Sequence, residues 1–338
     1  MSLSKQEEII LNKLLAKLDN EQRKNLFQKL NFEIQNASNE NFTIEECPYC
    51  HSKHIIKKGK NNKNIQRYQC KDCKKFFRVT YNTILFKTRK DLNIWSKYIE
   101  CMIDKRPLRE IEEICDISLQ TSFEWRHKIL DLLSKMMDDI KLDGIVESDE
   151  TYTRVSYKGN HTKSKKFIMP RPAHRSGGEV HTRGLSKEQV CISCFISDKN
   201  LSYSKVANLG QPSWNKIYKV INKHIEKGSI LVTDNYKGYT IIVDKLKLNH
   251  ISMPQGEYSN GTFNIQKINS YHSYFKDLIN HNFRGVSTKY LNNYIVYYNF
   301  LHCGQNKRSK KILDLQDYIF KVERNDLIKG NNRPAIPA

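Results

Sequence analysis

The sequence predicts a multidomain α+β protein in which a mixed β-sheet flanked by helices follows smaller N-terminal segments. Three observations support this fold class. Two C-x2-C pairs lie between residues 47 and 73, helical periodicity covers residues 91–133, and strand periodicity begins near Asp143. Strands that first follow one another and then alternate with helices are typical of one mixed sheet between helical layers.

The charge of the chain points to a polyanionic partner. It has 57 Lys and Arg against 36 Asp and Glu, a net charge of +21. Residues 51–78 hold ten basic residues and one acid, and residues 153–187 hold nine and one. A solvated, lysine-rich surface is the alternative, but such clustering favours nucleic acid.

No membrane partner is expected, because no apolar run approaches the roughly 18 residues of a membrane span. The N-terminus has no signal-peptide pattern. We therefore expect a cytoplasmic, nucleoid-associated protein. In that reducing compartment its nine cysteines should be thiols or metal ligands rather than disulfides.

The two cysteine pairs predict a structural Zn²⁺ site. Nineteen residues separate the first pair, Cys47 and Cys50, from the second, Cys70 and Cys73. Each pair can form a knuckle that directs two thiolates at a tetrahedral ion. A redox pair or chance placement is the alternative. The intervening hairpin is basic, and we expect phosphate contacts from Lys57, Lys58, Lys60 and Arg67.

Residues 106–130 have a helix-turn-helix pattern. Pro107 can begin the first helix, and Ser118 can cap the second. An ordinary helical hairpin fits the pattern equally well, but a basic chain with a zinc ribbon favours binding in a DNA groove. The groove-facing candidates are Gln120, Thr121, Arg126 and Lys128.

These patterns divide the chain into five predicted segments. They are a helical appendage with its linker (1–45), a zinc ribbon (46–80), a helix-turn-helix DNA-binding domain (90–140), a sheet domain (141–305) and a polar tail (306–338). The first segment has a capping box at Ser4 and Glu7, and it predicts two short amphipathic helices. Between the first strands of the sheet lies a basic, aperiodic loop, with DNA-contact candidates Lys163, Lys165 and Lys166.

Three oxygen-bearing residues in the sheet domain predict a divalent metal site. Asp149 lies in a predicted strand, Asp234 ends a later strand, and Asn269 lies on a following helix. On that helix His272 and Lys276 share a face with Asn269, because the spacing is i, i+3 and i+7. Hard cations that assist phosphodiester chemistry need such oxygen ligands.

Strand geometry separates the acids that surround Asp149. Glu147 shares its face and can support a ligand, whereas Glu150 points away. The alternatives without a metal site are that Asp234 is a helix cap and that Asn269 is a surface amide. If Asn269 is not a ligand, Glu257 is the next candidate.

Taken together, the motifs resemble those of bacterial insertion-sequence transposases of the DDE type with an N-terminal zinc ribbon. The resemblance spans roughly residues 45–302. It rests on both cysteine pairs and on five further segments: 118–128, 146–152, 183–190, 231–234 and 268–276. The third acidic position, usually Glu, is Asn269 here, and some members of the group also have Asn.

The resemblance implies an RNase H-like catalytic core over residues 141–305 that binds two Mg²⁺ or Mn²⁺ ions. It implies cleavage of double-stranded DNA at the ends of the element and strand transfer into target DNA, by a homodimer or higher oligomer. Asp149 would bind both ions, Asp234 one and Asn269 the other. Lys276 would hold a phosphate, and His272 would contact the scissile strand or orient a water. The alternatives are a catalytically silent DNA-binding regulator and a metal-dependent nuclease.

Overall fold

The computed structural model describes most of the chain, in several stretches. These are residues 17–19, 22, 44–60, 66–78, 80–81, 83–86, 88–160, 168–169, 184–254, 259–260, 263–302 and 307–321. The predicted N-terminal helices, most of the basic loop and Glu257 lie outside them. The chain forms two compact units, Met1–Trp95 and Ser96–Ala338. Among the described residues, no helix combines the length and apolar character needed to cross a membrane.

The first unit contains a small antiparallel sheet of three strands. They are β1 (Ile55–Lys60), β2 (Gln66–Cys70) and β3 (Phe76–Arg78), in spatial order β1-β2-β3. Among the described residues, the apolar cluster around this sheet has four buried members: Cys47, Cys70, Tyr68 and Phe77. A cluster of this size is typical of small domains that a structural metal stabilises.

In the described stretch from residue 88 to residue 144, three helices precede the main sheet. They are α1 (Leu92–Ile103), which crosses the boundary between the units, α2 (Leu108–Cys115) and α3 (Leu119–Asp138). Pro107 caps α2, Asp116 ends it in the left-handed region (φ 48°), and the Ser118 side chain accepts a hydrogen bond from the Thr121 N–H at 3.2 Å. The turn therefore forms as the sequence predicts.

The second unit is built on a five-stranded mixed sheet. Its elements are β4 (Ile145–Arg154), β5 (Gln189–Ser197), β6 (Ser202–Leu209), α4 (Trp214–Ile221), β7 (Ile230–Thr233), α5 (Gly238–Leu246) and β8 (Asn249–Ser252). The strand order is β6-β5-β4-β7-β8; β4, β5 and β6 pair antiparallel, and β4, β7 and β8 pair parallel. This arrangement confirms the predicted fold class with an RNase H-like sheet.

The remaining elements follow the sheet. A short hairpin of β9 (Ser259–Asn260) and β10 (Phe263–Asn264) leads into α6 (Gln266–Asp277), which continues as a π-helix (Leu278–Asn282). A 3-10 turn (Thr288–Tyr290) precedes α7 (Leu291–His302), and α8 (Arg308–Lys321) comes last. Helices α4 and α5 pack on one face of the sheet, where the apolar core includes Phe195, Leu231 and Tyr239. Helix α6 contacts β4 and β5, and α7 contacts β6.

Two observations bear on the predicted segments 90–140 and 306–338, which stay predictions as domains. Helix α3 packs along α7, with the Asn293 amide donating to Asp131 at 2.7 Å, and residues 96–138 fall in the same compact unit as the sheet. The segment 306–338 contains α8. Its Ile312, Leu315 and Ile319 are buried because they recur at helical spacing and form one apolar face.

Candidate active site and zinc centre

The pairing of β4 with β7 brings the two predicted carboxylates together. These strands are parallel, and Ser148 pairs with Thr233, the last residue of β7. Asp149 and Asp234 are the next residue on each chain. Because neighbouring parallel strands lie only about 4.8 Å apart, the two side chains emerge at the same edge of the sheet. This edge is where open α/β sheets place their ligands.

Helix α6 is fixed to β4 by a buried carboxylate. Glu147, which is 5% exposed, accepts a hydrogen bond from the Ile268 N–H at 2.9 Å. Ile268 lies in the first turn of α6, where backbone N–H groups have no partner within the helix. Glu147 therefore sets the axial position of the helix, and one residue later Asn269 begins its polar face.

The polar face of α6 approaches Asp149. His272 Nδ1 lies 3.8 Å from Asp149 Oδ2. Burial raises the pKa of Asp149, and the charge of Lys276 partly opposes that rise. Asn269 is exposed one turn before His272. Helix geometry places all three polar side chains of α6 on the side of the helix that faces the carboxylates.

His272 is a neutral imidazole in this environment. Burial, and then the charge of Lys276, lower the pKa of His272 to about 4. At 3.8 Å its contact with Asp149 is too long for a hydrogen bond, and a neutral ring forms no salt bridge. Its buried Nε2 has no hydrogen-bond partner among the described residues. The ring is therefore available to donate to, or accept from, a group that enters the site.

Glu150 points to the opposite face of the sheet, as strand alternation predicts. The Tyr239 hydroxyl donates to Glu150 Oε1 at 2.6 Å and lies 2.8 Å from the Ser148 hydroxyl. Burial raises the pKa of Glu150 to about 8, although the Tyr239 hydrogen bond lowers it. Glu150 thus ties β4 to α5 and lies on the other face from the α6 side chains.

Burial makes the ionised Asp149 carboxylate destabilising to the folded state. Burial and the charge of Asp234 raise the pKa of Asp149 to about 6, while the Glu150 N–H and Lys276 lower it. A raised carboxyl pKa means that the folded state binds the proton more tightly than the unfolded chain, whose Asp titrates near 3.9. Asp149 therefore contributes its full stabilisation of the fold below about pH 4, where it is protonated. That contribution is lost as the pH rises through 6.

Asp149→Asn is therefore expected to stabilise the metal-free protein at pH 7. The gain should be on the order of 2 kcal/mol, a value reduced for the partial exposure of the side chain. It should vanish near pH 4. Urea unfolding with a chelator at both pH values measures it, and Asp244→Asn, at an exposed position on α5, is the control. Equal stabilities of the variant and the native protein at pH 7 would contradict the assignment.

The four cysteines of the first unit form a metal-binding cluster. Their sulfurs all lie within 4.8 Å of one another, and Cys47–Cys73 and Cys50–Cys70 are each 3.6 Å apart. Tetrahedral Zn²⁺ with Zn–S bonds of ~2.3 Å requires sulfurs about 3.8 Å apart. Four residues after the first cysteine of each pair, His51 and Lys74 turn the chain with positive φ. The donor set and spacing therefore fit Zn²⁺.

Loss of one thiolate should empty this zinc site. Cys70→Ser is expected to reduce the zinc content of purified protein from about one ion per chain to near zero, because serine is a poor ligand for Zn²⁺. Metal analysis by mass spectrometry measures it. Cys191→Ser, which removes a buried thiol from the main sheet, is the control and should retain the ion. Full zinc content in Cys70→Ser would contradict the assignment.

The candidate DNA-contact residues differ in their exposure to solvent. Lys57, Lys58, Lys60 and Arg67 are all exposed on the zinc ribbon, and the Arg67 guanidinium lies 5.4 Å from the exposed Phe76 ring. Lys163, Lys165 and Lys166 lie outside the described residues. On α3, Gln120 is exposed, whereas Thr121 and Lys128 are half-buried.

The expectation that Arg126 faces a groove is wrong. Arg126 is 3% exposed, donates to the Arg106 carbonyl at 2.6 Å and lies over the Phe283 ring. It lies on the same face of α3 as Leu130 and Leu133, and that face is covered by the rest of the unit. The remaining exposed surface of this hairpin has more acids than bases: Glu110, Glu113, Asp116 and Glu124 against Arg106 and Arg109. Its DNA-binding role therefore stays a prediction.

Comparisons with known proteins agree with this combination of parts. Residues 141–300 match the family of ISXO2-like transposase domains, and residues 43–74 match the InsA N-terminal domain, a zinc ribbon. The chain is 23% identical over 252 residues to a protein of Halobacterium salinarum described as an uncharacterized protein in transposable element ISH50. That match covers 74% of this chain and 82% of the relative.

Solved structures give weaker similarities. The Mos1 strand transfer complex is 13% identical with a TM-score of 0.30, over 66% of this chain and 75% of that one. The pre-cleavage Mos1 transpososome is 13% identical with a TM-score of 0.27, over 66% and 76%. These scores are too low to support a structural argument, so the identification depends on the matched domains. The chain therefore combines an InsA-type zinc ribbon with an ISXO2-like transposase domain, the parts expected of an insertion-sequence transposase.

Proposed function

We propose that Asp149, Asp234 and Asn269 form the metal-dependent catalytic site at which this transposase cleaves DNA and transfers the strand. The observation that supports this most strongly is the placement of Asp149 and Asp234 after paired residues of adjacent parallel strands, facing the polar side of α6. Two carboxylates and an amide offer hard oxygen donors, which suit Mg²⁺ or Mn²⁺. The raised pKa of Asp149, caused by burial and by Asp234, is the sign of a site that a cation would stabilise.

Each residue of the site has a proposed role. Asp149 would hold both ions, Asp234 one and Asn269 the other; when bound, they supply Lewis-acid stabilisation and an activated water. Lys276 has an exposed ammonium two turns along α6 from Asn269, and it holds a phosphate of the scissile strand. The neutral imidazole of His272 orients the entering water or sugar hydroxyl by a hydrogen bond. Glu147 keeps α6 in register with β4.

Asn269 makes the site less negative than a site with three acids. A neutral carbonyl oxygen binds a divalent ion more weakly than a carboxylate does, so the substrate phosphate must supply more of the compensating charge. We propose that the metal in this position binds together with DNA. Lys276 on the same face favours the arrival of that phosphate.

We further propose that the substrate is double-stranded DNA, both at the ends of the element and at the target. The exposed cations of the zinc ribbon and the net charge of +21 support this partner. Strand transfer requires two element ends to be held together, and we propose that a homodimer or higher oligomer holds them.

One assay tests the activity and separates it from two alternatives. The protein is incubated with duplexes that carry the candidate ends of the element, with Mg²⁺, with Mn²⁺ or with a chelator. Cleavage and joining in the presence of metal are the expected result. Cleavage without joining indicates a nuclease. DNA binding with no cleavage at any metal concentration indicates a catalytically silent regulator, for which the metal-binding face would have no use.

A further inference from the structure

Two segments that lead away from the site are joined to each other. Residues 156–160 follow β4, and residues 284–290 follow α6 and its π-helix. The Thr288 N–H donates to the Ser156 carbonyl at 2.8 Å, and the Ser156 N–H donates to the Thr288 hydroxyl at 2.7 Å. Thr288 is buried, so the junction is a fixed part of the fold.

Three cations are gathered at this junction. Lys158 Nζ donates to the Arg284 carbonyl at 2.7 Å, and Lys289 Nζ donates to the Gly159 carbonyl at 3.1 Å. Each ammonium is thus held by the opposite segment. We call Lys158, Arg284 and Lys289 the basic cluster.

The backbone is shaped to allow this arrangement. Gly285 has φ 85°, and a Cβ there would lie 3.0 Å from Lys158 Nζ. A side chain at position 285 would therefore push the ammonium away. Arg284 itself has φ 50°, a conformation that non-glycine residues seldom adopt.

The contacts given above leave the charges of Lys158 and Arg284 without an acidic partner. The Arg284 carbonyl holds the Lys158 ammonium in place, but it carries no net charge to compensate it. Lys158 and Arg284 are exposed, and neither forms a salt bridge within the described part of the chain. Exposed cations without an acidic partner are suited to contacts with a phosphate backbone.

The cluster lies in line with the catalytic residues. Helix α6 runs beside β4 in the same direction, since Ile268 meets Glu147, His272 faces Asp149 and Thr288 meets Ser156. The strand from Asp149 to Arg154 spans roughly 17 Å, and the cluster lies beyond it. With a rise of about 3.4 Å per base pair along the duplex axis, a distance of roughly 17 Å or somewhat more corresponds to about 5 to 9 base pairs.

We propose that Lys158, Arg284 and Lys289 bind the backbone of the duplex under cleavage, about half a helical turn or more from the scissile phosphodiester. The position of the contact rests on the proposed catalytic site, whereas the contact itself does not. The cluster would hold the DNA in register, so that Lys276 and the carboxylates meet the correct phosphate.

The experiment measures affinity for a 30-base-pair duplex of arbitrary sequence across a series of KCl concentrations. Each lost phosphate contact reduces the slope of log K against log salt by about 0.9, so Lys158→Ala/Arg284→Ala/Lys289→Ala should reduce it by roughly 2 to 3. The matched control is Lys219→Ala/Lys223→Ala/Lys227→Ala. It removes the same charge from exposed lysines that precede β7, towards the opposite edge of the sheet, and should leave the slope near the native value.

Equal slopes for the cluster variant and the native protein would overturn the proposal. If the triple variant fails to fold, Lys158→Gln/Arg284→Gln changes only exposed side chains and should still reduce the slope by about 1 to 2. The measurement needs neither the catalytic ions nor cleavage. A reduced slope can therefore be observed even if the catalytic assay fails, and an unchanged slope can be observed even if it succeeds. Once the cut is mapped, neutral methylphosphonate linkages 5 to 9 base pairs away should weaken binding by the native protein and not by the triple variant.

Discussion

Asp149→Ala and Asp234→Ala are each expected to lower the rate of metal-dependent DNA cleavage roughly 10³-fold or more. A carboxylate that holds a catalytic cation supports several kcal/mol of transition-state stabilisation, and about 4 kcal/mol corresponds to a factor of 10³. DNA affinity should change little, because the affinity comes mainly from cations elsewhere on the surface. Single-turnover cleavage and a parallel binding titration measure the two quantities.

The matched control for these variants is Glu226→Ala. Glu226 is an exposed acid shortly before β7, and β7 starts at the opposite edge of the sheet from Asp234. The Glu226→Ala variant should cleave DNA at the native rate. Cleavage by Asp149→Ala within tenfold of the native rate would exclude Asp149 from the site, and a parallel loss of DNA binding would indicate misfolding instead.

Asn269→Ala is expected to lower the cleavage rate by roughly 10- to 100-fold at low Mg²⁺, and by less when Mg²⁺ is saturating. The effect should be smaller than for the aspartates, because a water can replace a neutral oxygen ligand better than a charged one. The decisive measurement is single-turnover cleavage across a Mg²⁺ titration. Ser270→Ala, at the next exposed position on α6, is the control and should behave like the native protein.

Asn269→Glu adds a second measurement at the same position. A carboxylate should tighten the apparent Mg²⁺ affinity, although its longer side chain can misplace the ion and lower the maximal rate. A native rate for Asn269→Ala at every Mg²⁺ concentration would remove this residue from the site. Glu257 would then be the next candidate for the third ligand.

The local chemistry of the chain was predictable from its sequence. The C-x2-C spacing suffices for the zinc knuckles, because both ligands of a pair come from one tight turn. Strand alternation correctly separated Glu147 from Glu150, since the period of two does not depend on the partner strand. The turn between α2 and α3 followed from Pro107 and Ser118, whose capping preferences are properties of the local backbone.

Contacts between distant segments were not predictable in the same way. Arg126 looked accessible because arginines are usually exposed, but α3 is covered on that face by the sheet-containing unit. The sequence also gave no sign that Tyr239 would donate to Glu150, 89 residues away. The composition of residues 306–338 predicts a polar tail, yet three apolar residues at helical spacing are enough to bury one face of α8.

The basic cluster, which we propose to bind DNA, was likewise not predictable from the sequence. Lys158, Arg284 and Lys289 are unremarkable in a chain with 57 basic residues, and no spacing links them. Glycines at 159 and 285 were the only available signal, since each allows a backbone conformation that other residues rarely adopt.

The sequence by itself predicted the resemblance to transposases, the zinc ligands and the residues that would hold the catalytic ions, because each depends on residue type and short spacing. The tertiary structure alone decided that Asp149 lies beside Asp234 and that the three cations of the basic cluster lie together beyond the end of β4. The pairing of β4 with β7 and the hydrogen bond from α6 to Glu147 set these positions. They join segments 85 to 121 residues apart, and no local pattern specifies such a pairing.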